Sequence, residues 1–134
     1  MPLFNYTTDC FKSEQLYHIS VLPYYRGSIA EFWQFYNNEL EKVGVTLHLI
    51  DNKIDTGPII CQKRTELTPK DNYITARYKN IISAENLIKD NLEGILNKKF
   101  RATVQDSTVS DTPYKFSMIT EELRYNYWHK ARKL

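Results

Sequence analysis

Tyr17-His18-Ile19-Ser20-Val21-Leu22-Pro23-Tyr24-Tyr25-Arg26-Gly27 and its answering stretch, Asp51-Asn52-Lys53-Ile54-Asp55-Thr56-Gly57-Pro58-Ile59-Ile60, decide how this chain is read. The first is a short apolar strand, Leu16 to Leu22, that runs into a loop punctuated by Pro23 and Gly27 and carries an imidazole near its start. The second sets a carboxylate on a Gly57-Pro58 turn between two apolar strands, Val45 to Ile50 and Ile59 to Thr65. A histidine and an aspartate that converge from two loops form a general acid/base pair.

Outward from these stretches the chain alternates strand and helix. Ser28-Ile29-Ala30-Glu31 has the spacing of a capping box, so a helix is expected from Ser28. Ile29, Phe32, Trp33, Tyr36, Leu40 and Val43 follow at helical spacing, and Gly44 is read as the left-handed residue that ends the helix. Val45, Leu47 and Leu49 then take one face of a strand, with Thr46, His48 and Ile50 on the other. Thr68-Pro69 reads as N-cap and first position of a long helix whose core face is Ile74, Tyr78, Ile81, Ile88, Leu92 and Ile95. Beyond it come a short strand over Phe100 to Val104, a polar loop over Asp106 to Pro113, and a terminal helix over Glu121 to Lys133 with Leu123, Tyr127, Trp128 and Ala131. Met1 to Gln15 shows no period and is read as mostly irregular.

Composition excludes several classes. With 134 residues, 42% hydrophobic and 13% aromatic, the chain fits one soluble domain, 1–134. A formal charge of +2 is too small to argue for nucleic acid or a membrane surface, and the five Lys/Arg against two Glu between Lys115 and Leu134 read as a solvated helix end. Cys10 and Cys61 have no metal-ligand spacing, so reduced thiols in a cytoplasmic protein are expected. No apolar run approaches a bilayer span, and the N-terminus lacks a signal-peptide pattern.

The motif H-x-S-x-L-P-x-Y-R-G at His18–Gly27, followed after a helix by G-V-T-L-H-L-I-D-x-x-I-D-T-G-P-I-I at Gly44–Ile60, resembles the folate-dependent formyltransferases. That family uses 10-formyltetrahydrofolate to formylate glycinamide ribotide, methionyl-tRNA or amino sugars. The resemblance is strongest over 16–62 and weak over 98–134. It implies an α/β, Rossmann-like sheet with helices that lacks the N-terminal half of the family domain, and a cis peptide at Leu22-Pro23.

Carried onto this sequence, the family's catalytic histidine falls on His18 and its aspartate on Asp55. The asparagine two residues before the histidine falls on Leu16, which has no group to donate to the oxyanion. Asp51, Asn52, Lys53 and Ile54 match the loop whose main chain grips the pterin, so they are the cofactor-binding candidates. Tyr24, Tyr25 and Arg26 match the loop that borders the acceptor site, with bracing of that loop as the alternative role for Arg26. His48 matches a family histidine and is assigned a supporting role behind the catalytic pair. The implied reaction is attack of an amine on the formyl carbon, without a metal. An amino-sugar acceptor is preferred, since no tRNA-binding domain is expected in the chain, with a ribotide acceptor left open beside it. The alternative is an impaired relative that binds folate or a partner chain. Either way, a second copy or a partner chain is expected to complete the sheet at its open strand edge.

Overall fold

The computed structural model describes residues 15–18, 20–106, 108–109 and 113–132. The reading of Met1 to Gln15 as irregular therefore lies outside the described residues, except at Gln15, which opens a strand. The elements are β1 (Gln15–His18), α1 (Ala30–Tyr36), β2 (Gly44–Leu49), β3 (Ile59–Arg64), α2 (Tyr73–Leu96) and α3 (Glu121–Arg132), with short 3₁₀ turns at Leu40–Lys42 and Phe116–Met118. The three strands form one antiparallel sheet in the order β1-β2-β3. The expected α/β architecture is present.

β2 is the centre of the molecule, and its pleat explains why both of its faces are buried. Val45 and Leu47 turn toward α2 and pack with Ala84, Leu87 and Ile95 in the main apolar cluster. Thr46 and His48 lie on the opposite face, which is roofed by the two signature loops instead of a helix. Register places Leu16 across from His48, and His18 across from Thr46. A second, aromatic cluster of Phe32, Ile119 and Tyr127, flanked by Trp33, Tyr36, Tyr73 and Trp128, seats α3 against α1 and the start of α2.

Several expected boundaries are corrected. The strand from Leu16 ends at His18, because the chain then leaves the ladder: the Val21 N–H bonds the Lys42 carbonyl and the Leu22 N–H bonds Thr46 Oγ1. The first helix begins at Ala30, not Ser28. Ile29 is left-handed (φ 51°), the Ser28 N–H is held by the Tyr114 carbonyl at 2.9 Å, and no side chain caps the helix. Glu31 does not cap either. It is buried under α2, 3.4 Å from both Arg77 Nη1 and Asn80 Nδ2.

That helix stops at Tyr36, since Asn38 (φ 56°) supplies the left-handed turn expected of Gly44. Gly44 belongs to β2, where a Cβ would sit 2.5 Å from the Lys63 carbonyl oxygen. The strand expected over Phe100 to Val104 is reduced to one bridge, Thr103 to Ile59.

The long helix also starts later, at Tyr73. Asn72 caps it, accepting from the Ile74 and Thr75 N–H groups, while Thr75 Oγ1 accepts from the Asn72 N–H. Thr68 and Asp71 instead close a turn on each other ahead of the helix. Asn72→Ala should therefore lower unfolding stability by about 1 kcal/mol, and Thr68→Ala by clearly less, in urea titrations. Equal losses would return the cap to Thr68.

The core face of α2 is likewise corrected. Ala76, Asn80, Ala84, Leu87 and Ile95 are buried, because small residues let the helix approach β2 and α1 closely. Of the expected row, Ile95 is buried and Ile88 partly so, while Ile74, Tyr78, Ile81 and Leu92 are exposed, Tyr78 at 72%.

Candidate active site

The strand after His18 turns back over the sheet through a cis Leu22-Pro23 peptide, as expected for the motif. Tyr25 (φ 52°), Gly27 (φ 100°) and Ile29 (φ 51°) all hold positive φ, and Asp55 (φ 55°) does so in the facing loop. For non-glycine residues this backbone costs energy, and such residues gather where a fold holds side chains for function.

In this conformation the two signatures meet. His18 Nδ1 lies 3.2 Å from Asp55 Oδ2, and the Gly27 N–H donates to the same oxygen at 2.9 Å. His18 Nε2 lies 2.9 Å from the Tyr25 carbonyl oxygen. Both neighbours of the ring are acceptors, so only the doubly protonated imidazole satisfies both. Burial opposes that charge and holds the His18 pKa below 6.5, although Asp55 and the Tyr25 carbonyl pull the other way.

On the second side of the carboxylate, His48 Nε2 stands 3.6 Å from Asp55 Oδ1 with no closer partner, while its Nδ1 donates to the Leu49 carbonyl at 2.8 Å. Asp55 thus faces two buried imidazoles. Burial would raise its pKa, but His48, the His18 ring and the Gly27 N–H together outweigh it and hold the carboxyl below its ordinary value.

These shifts share a sign. A group with a depressed folded pKa adds stability that is complete above its unfolded pKa and is lost as the pH falls through the folded one. The His18 contribution is therefore complete above about pH 6.5 and drains below it, and the Asp55 contribution drains only below about pH 4. Glu31, raised by burial, works oppositely: its contribution is complete below about pH 4.5 and is lost as the pH rises through its raised folded value. Melting temperature should fall on acidification from pH 7 toward 5.5, and His18→Gln should flatten that limb. An unchanged slope in the variant would remove His18 from the linkage.

One further residue holds the loops in register. Gln105 donates from Nε2 to the carbonyls of Asp55 (2.9 Å) and Gly57 (2.7 Å), and its Oε1 accepts from Arg26 Nη2 at 2.7 Å. Arg26 Nε also reaches the Asp55 carbonyl at 3.2 Å, so a buried Arg26–Gln105 pair joins loop 23–27 to loop 51–57. Sequence reading missed Gln105, which sits in a polar segment without period.

Gly57 is fixed by close approach instead: a Cβ there would lie 1.5 Å from the Leu49 carbonyl oxygen. Gly57→Ala should displace the Asp55 loop and cost several kcal/mol, at the high end for single substitutions. Wild-type urea stability in this variant would sink that account.

The side chains of the remaining candidates make other contacts. Asp51 Oδ1 accepts from the Lys53 N–H and from Thr56 Oγ1, which shapes the exposed loop carrying Asn52, Lys53 and Ile54. Tyr24 is 40% exposed. Tyr25 is buried, its hydroxyl donating to Glu39 and accepting from Asn37 Nδ2 at 2.9 Å.

A family model described as formyl transferase matches residues 12–97. The methionyl-tRNA formyltransferase of Chlorobium chlorochromatii is 30% identical over 110 residues, covering 81% of this chain and 34% of that protein. The Flavobacterium psychrophilum counterpart is 36% identical over 100 residues, covering 73% and 31%.

Among solved structures, an N-formyltransferase from Helicobacter canadensis, in complex with folinic acid and dTDP-3-aminofucose, superposes with a TM-score of 0.72 at 33% identity, covering 79% of this chain and 39% of that one. A formyltransferase from Anoxybacillus kamchatkensis, holding a UDP-linked formamido sugar and tetrahydrofolate, gives 0.71 at 27% identity, covering 84% and 56%. The chain spans about a third of the length of the curated relatives it matches. With both signature loops inside the matched region, and with a methionyl-tRNA formyltransferase 36% identical to it, the chain belongs to the formyl transferase family.

Proposed function

We propose that the chain carries the histidine–aspartate part of a site that moves a formyl group from 10-formyltetrahydrofolate to the amine of a nucleotide-linked amino sugar. The observation that carries this reading is the His18–Asp55 contact at 3.2 Å, made across two loops. Family membership and two similar proteins crystallised with folates and sugar nucleotides support it. The exposed loop Asp51 to Ile54 is assigned to the pterin, Tyr24 to Arg26 to the acceptor side, and His48 to support of Asp55.

In the proposed step the acceptor nitrogen attacks the formyl carbon, and the tetrahedral intermediate collapses by breaking the carbon bond to folate N10. The products are a formamide and tetrahydrofolate. His18, kept neutral near pH 7 by burial, accepts the proton that the amine loses. Asp55 stabilises the imidazolium, and N10 receives a proton in return. The Tyr25 carbonyl rests on Nε2, so an amine that uses this nitrogen displaces that contact on binding.

The test is incubation with 10-formyltetrahydrofolate and dTDP-linked amino sugars, with the formamide detected by mass spectrometry. No product with any amine acceptor, together with no folate binding, would sink the reading.

The second reading, an impaired relative that binds folate or a partner chain, rests on Leu16. The backbone donor nearest the pair, the Gly27 N–H, is already engaged by Asp55 and does not replace the missing amide. In either reading we propose that a second copy or a partner chain pairs with β1, which has only β2 beside it among the described residues. Light scattering should then show more than a monomer at high concentration. No described helix is long and apolar enough to cross a membrane, and we place the reaction in the cytoplasm.

A further inference from the structure

α2 is apolar on two sides. Its inner side, with Ala76, Ala84, Leu87 and Ile95, packs on β2 and α1. Its outer side carries Ile74, Tyr78, Ile81, Ile82, Leu92 and Leu96, each between 45% and 72% exposed. With Glu85 and Lys89 in the gap between Ile82 and Leu92, the row advances by about one turn at each step and forms a single stripe along the helix. A surface helix normally turns its apolar row inward and its polar residues out. The six side chains together expose roughly 700 Å², close to the ~800 Å² that each partner buries in a stable protein pair. Apolar surface of this extent marks an interaction site.

The two charges in the stripe select the occupant. Glu85 and Lys89 are 64% and 67% exposed and 3.1 Å apart on the same helix. An acid and a base set one turn apart at the middle of a stripe are complementary to the same pair reversed. In an antiparallel arrangement with a two-fold axis between positions 85 and 89, Glu85 of each copy faces the partner's Lys89, Ile82 faces the partner's Leu92, and Tyr78 faces the partner's Leu96. The richer first half of each stripe then covers the sparser second half of the other. A parallel pair would set Glu85 on Glu85 and Lys89 on Lys89. Sliding the antiparallel pair by one turn would set one of the two on its own copy. Charge therefore selects both orientation and register, as it does in other helix pairs.

We propose that the outer face of α2 is a self-complementary docking surface, on which a second copy of this chain lies antiparallel with Glu85 of each copy opposite the partner's Lys89. The surface is separate from the open edge of β1, and it does not depend on formyl transfer. Sedimentation of the full chain at low ionic strength should show a dimer. Glu85→Lys and Lys89→Glu should each weaken self-association by about tenfold or more, because each leaves only like charges at the centre of the pair. Mixed in equal amounts, the two variants should associate with each other about as tightly as the wild type, since every facing pair is then opposite again. Ile82→Asp should weaken the dimer by a similar factor. All three positions are exposed, and circular dichroism checks that the variants fold.

Recovery in the mixture supports the proposal, because losing the ion pair within one helix would not be repaired by a second variant that has lost it too. A wild-type monomer at high concentration overturns it. So does weakening that mixing leaves unrepaired. Association that all three variants leave unchanged also overturns it, and places the contact elsewhere, the β1 edge included.

Discussion

Asp55→Asn should lower the rate of formyl transfer by about 10²- to 10⁴-fold, the range over which positioned proton-transfer groups act. Asparagine is the informative substitution because Asp55 sits at φ 55°, a conformation that Asn tolerates and Ala does not. Its amide oxygen can still accept the Gly27 N–H that now donates to Oδ2. The loop therefore stays in place while the charge goes. A second readout separates chemistry from structure. Asp55 is the largest influence raising the His18 pKa, so its neutralisation should move the His18 titration to lower pH, as followed by NMR. That shift is measurable whatever the wild-type turnover. An unmoved titration would show that the 3.2 Å contact does not carry the coupling assigned to it.

The two loops were legible because each signature keeps its chemistry within a few consecutive residues. A strand, a proline turn and a glycine fix where His18 goes, and a Gly-Pro turn fixes Asp55. The three strands were legible from apolar alternation for the same local reason. What escaped was set by partners distant in sequence. Ser28 looked like a cap, but its N–H is held by Tyr114, 86 positions on (114 − 28). Glu31 looked like the other half of a capping box, yet it is drawn beneath α2 by Arg77 and Asn80.

The misread face of α2 has a different cause. Ile74, Tyr78, Ile81 and Leu92 carry more apolar area than Ala76, Asn80 and Ala84, so periodicity weighted by hydrophobicity selects the wrong side. Close helix–sheet approach rewards small residues instead, and Asn80 is tolerated there because Thr65 and Glu31 satisfy it. Gln105 and Tyr114 left no local signal. Both act through several contacts onto loops 48 or more residues earlier, from a segment whose own pattern is irregular.

Leu16→Asn should raise formyl transfer by about 10²- to 10³-fold over the unmodified chain, the reverse of what removing one oxyanion donor costs elsewhere. The backbone supports the substitution. Position 16 precedes His18 by two residues on β1, and strand alternation gives the two positions the same face. Register sets position 16 opposite His48, on the sheet face that the two loops cover. An amide introduced there joins the side of the sheet where Asp55 and both imidazoles already meet.

The gain should appear in kcat more than in KM, because the donor acts on charge that develops after the acceptor is bound. Combined with Asp55→Asn, it should vanish, since a stabilised oxyanion still requires the proton to leave the attacking amine. A gain that survives the loss of Asp55 would mean that the amide binds substrate and does not stabilise the intermediate. No gain at all, in a chain that still binds folinic acid, would favour the impaired reading, with His18 and Asp55 kept as parts of the fold.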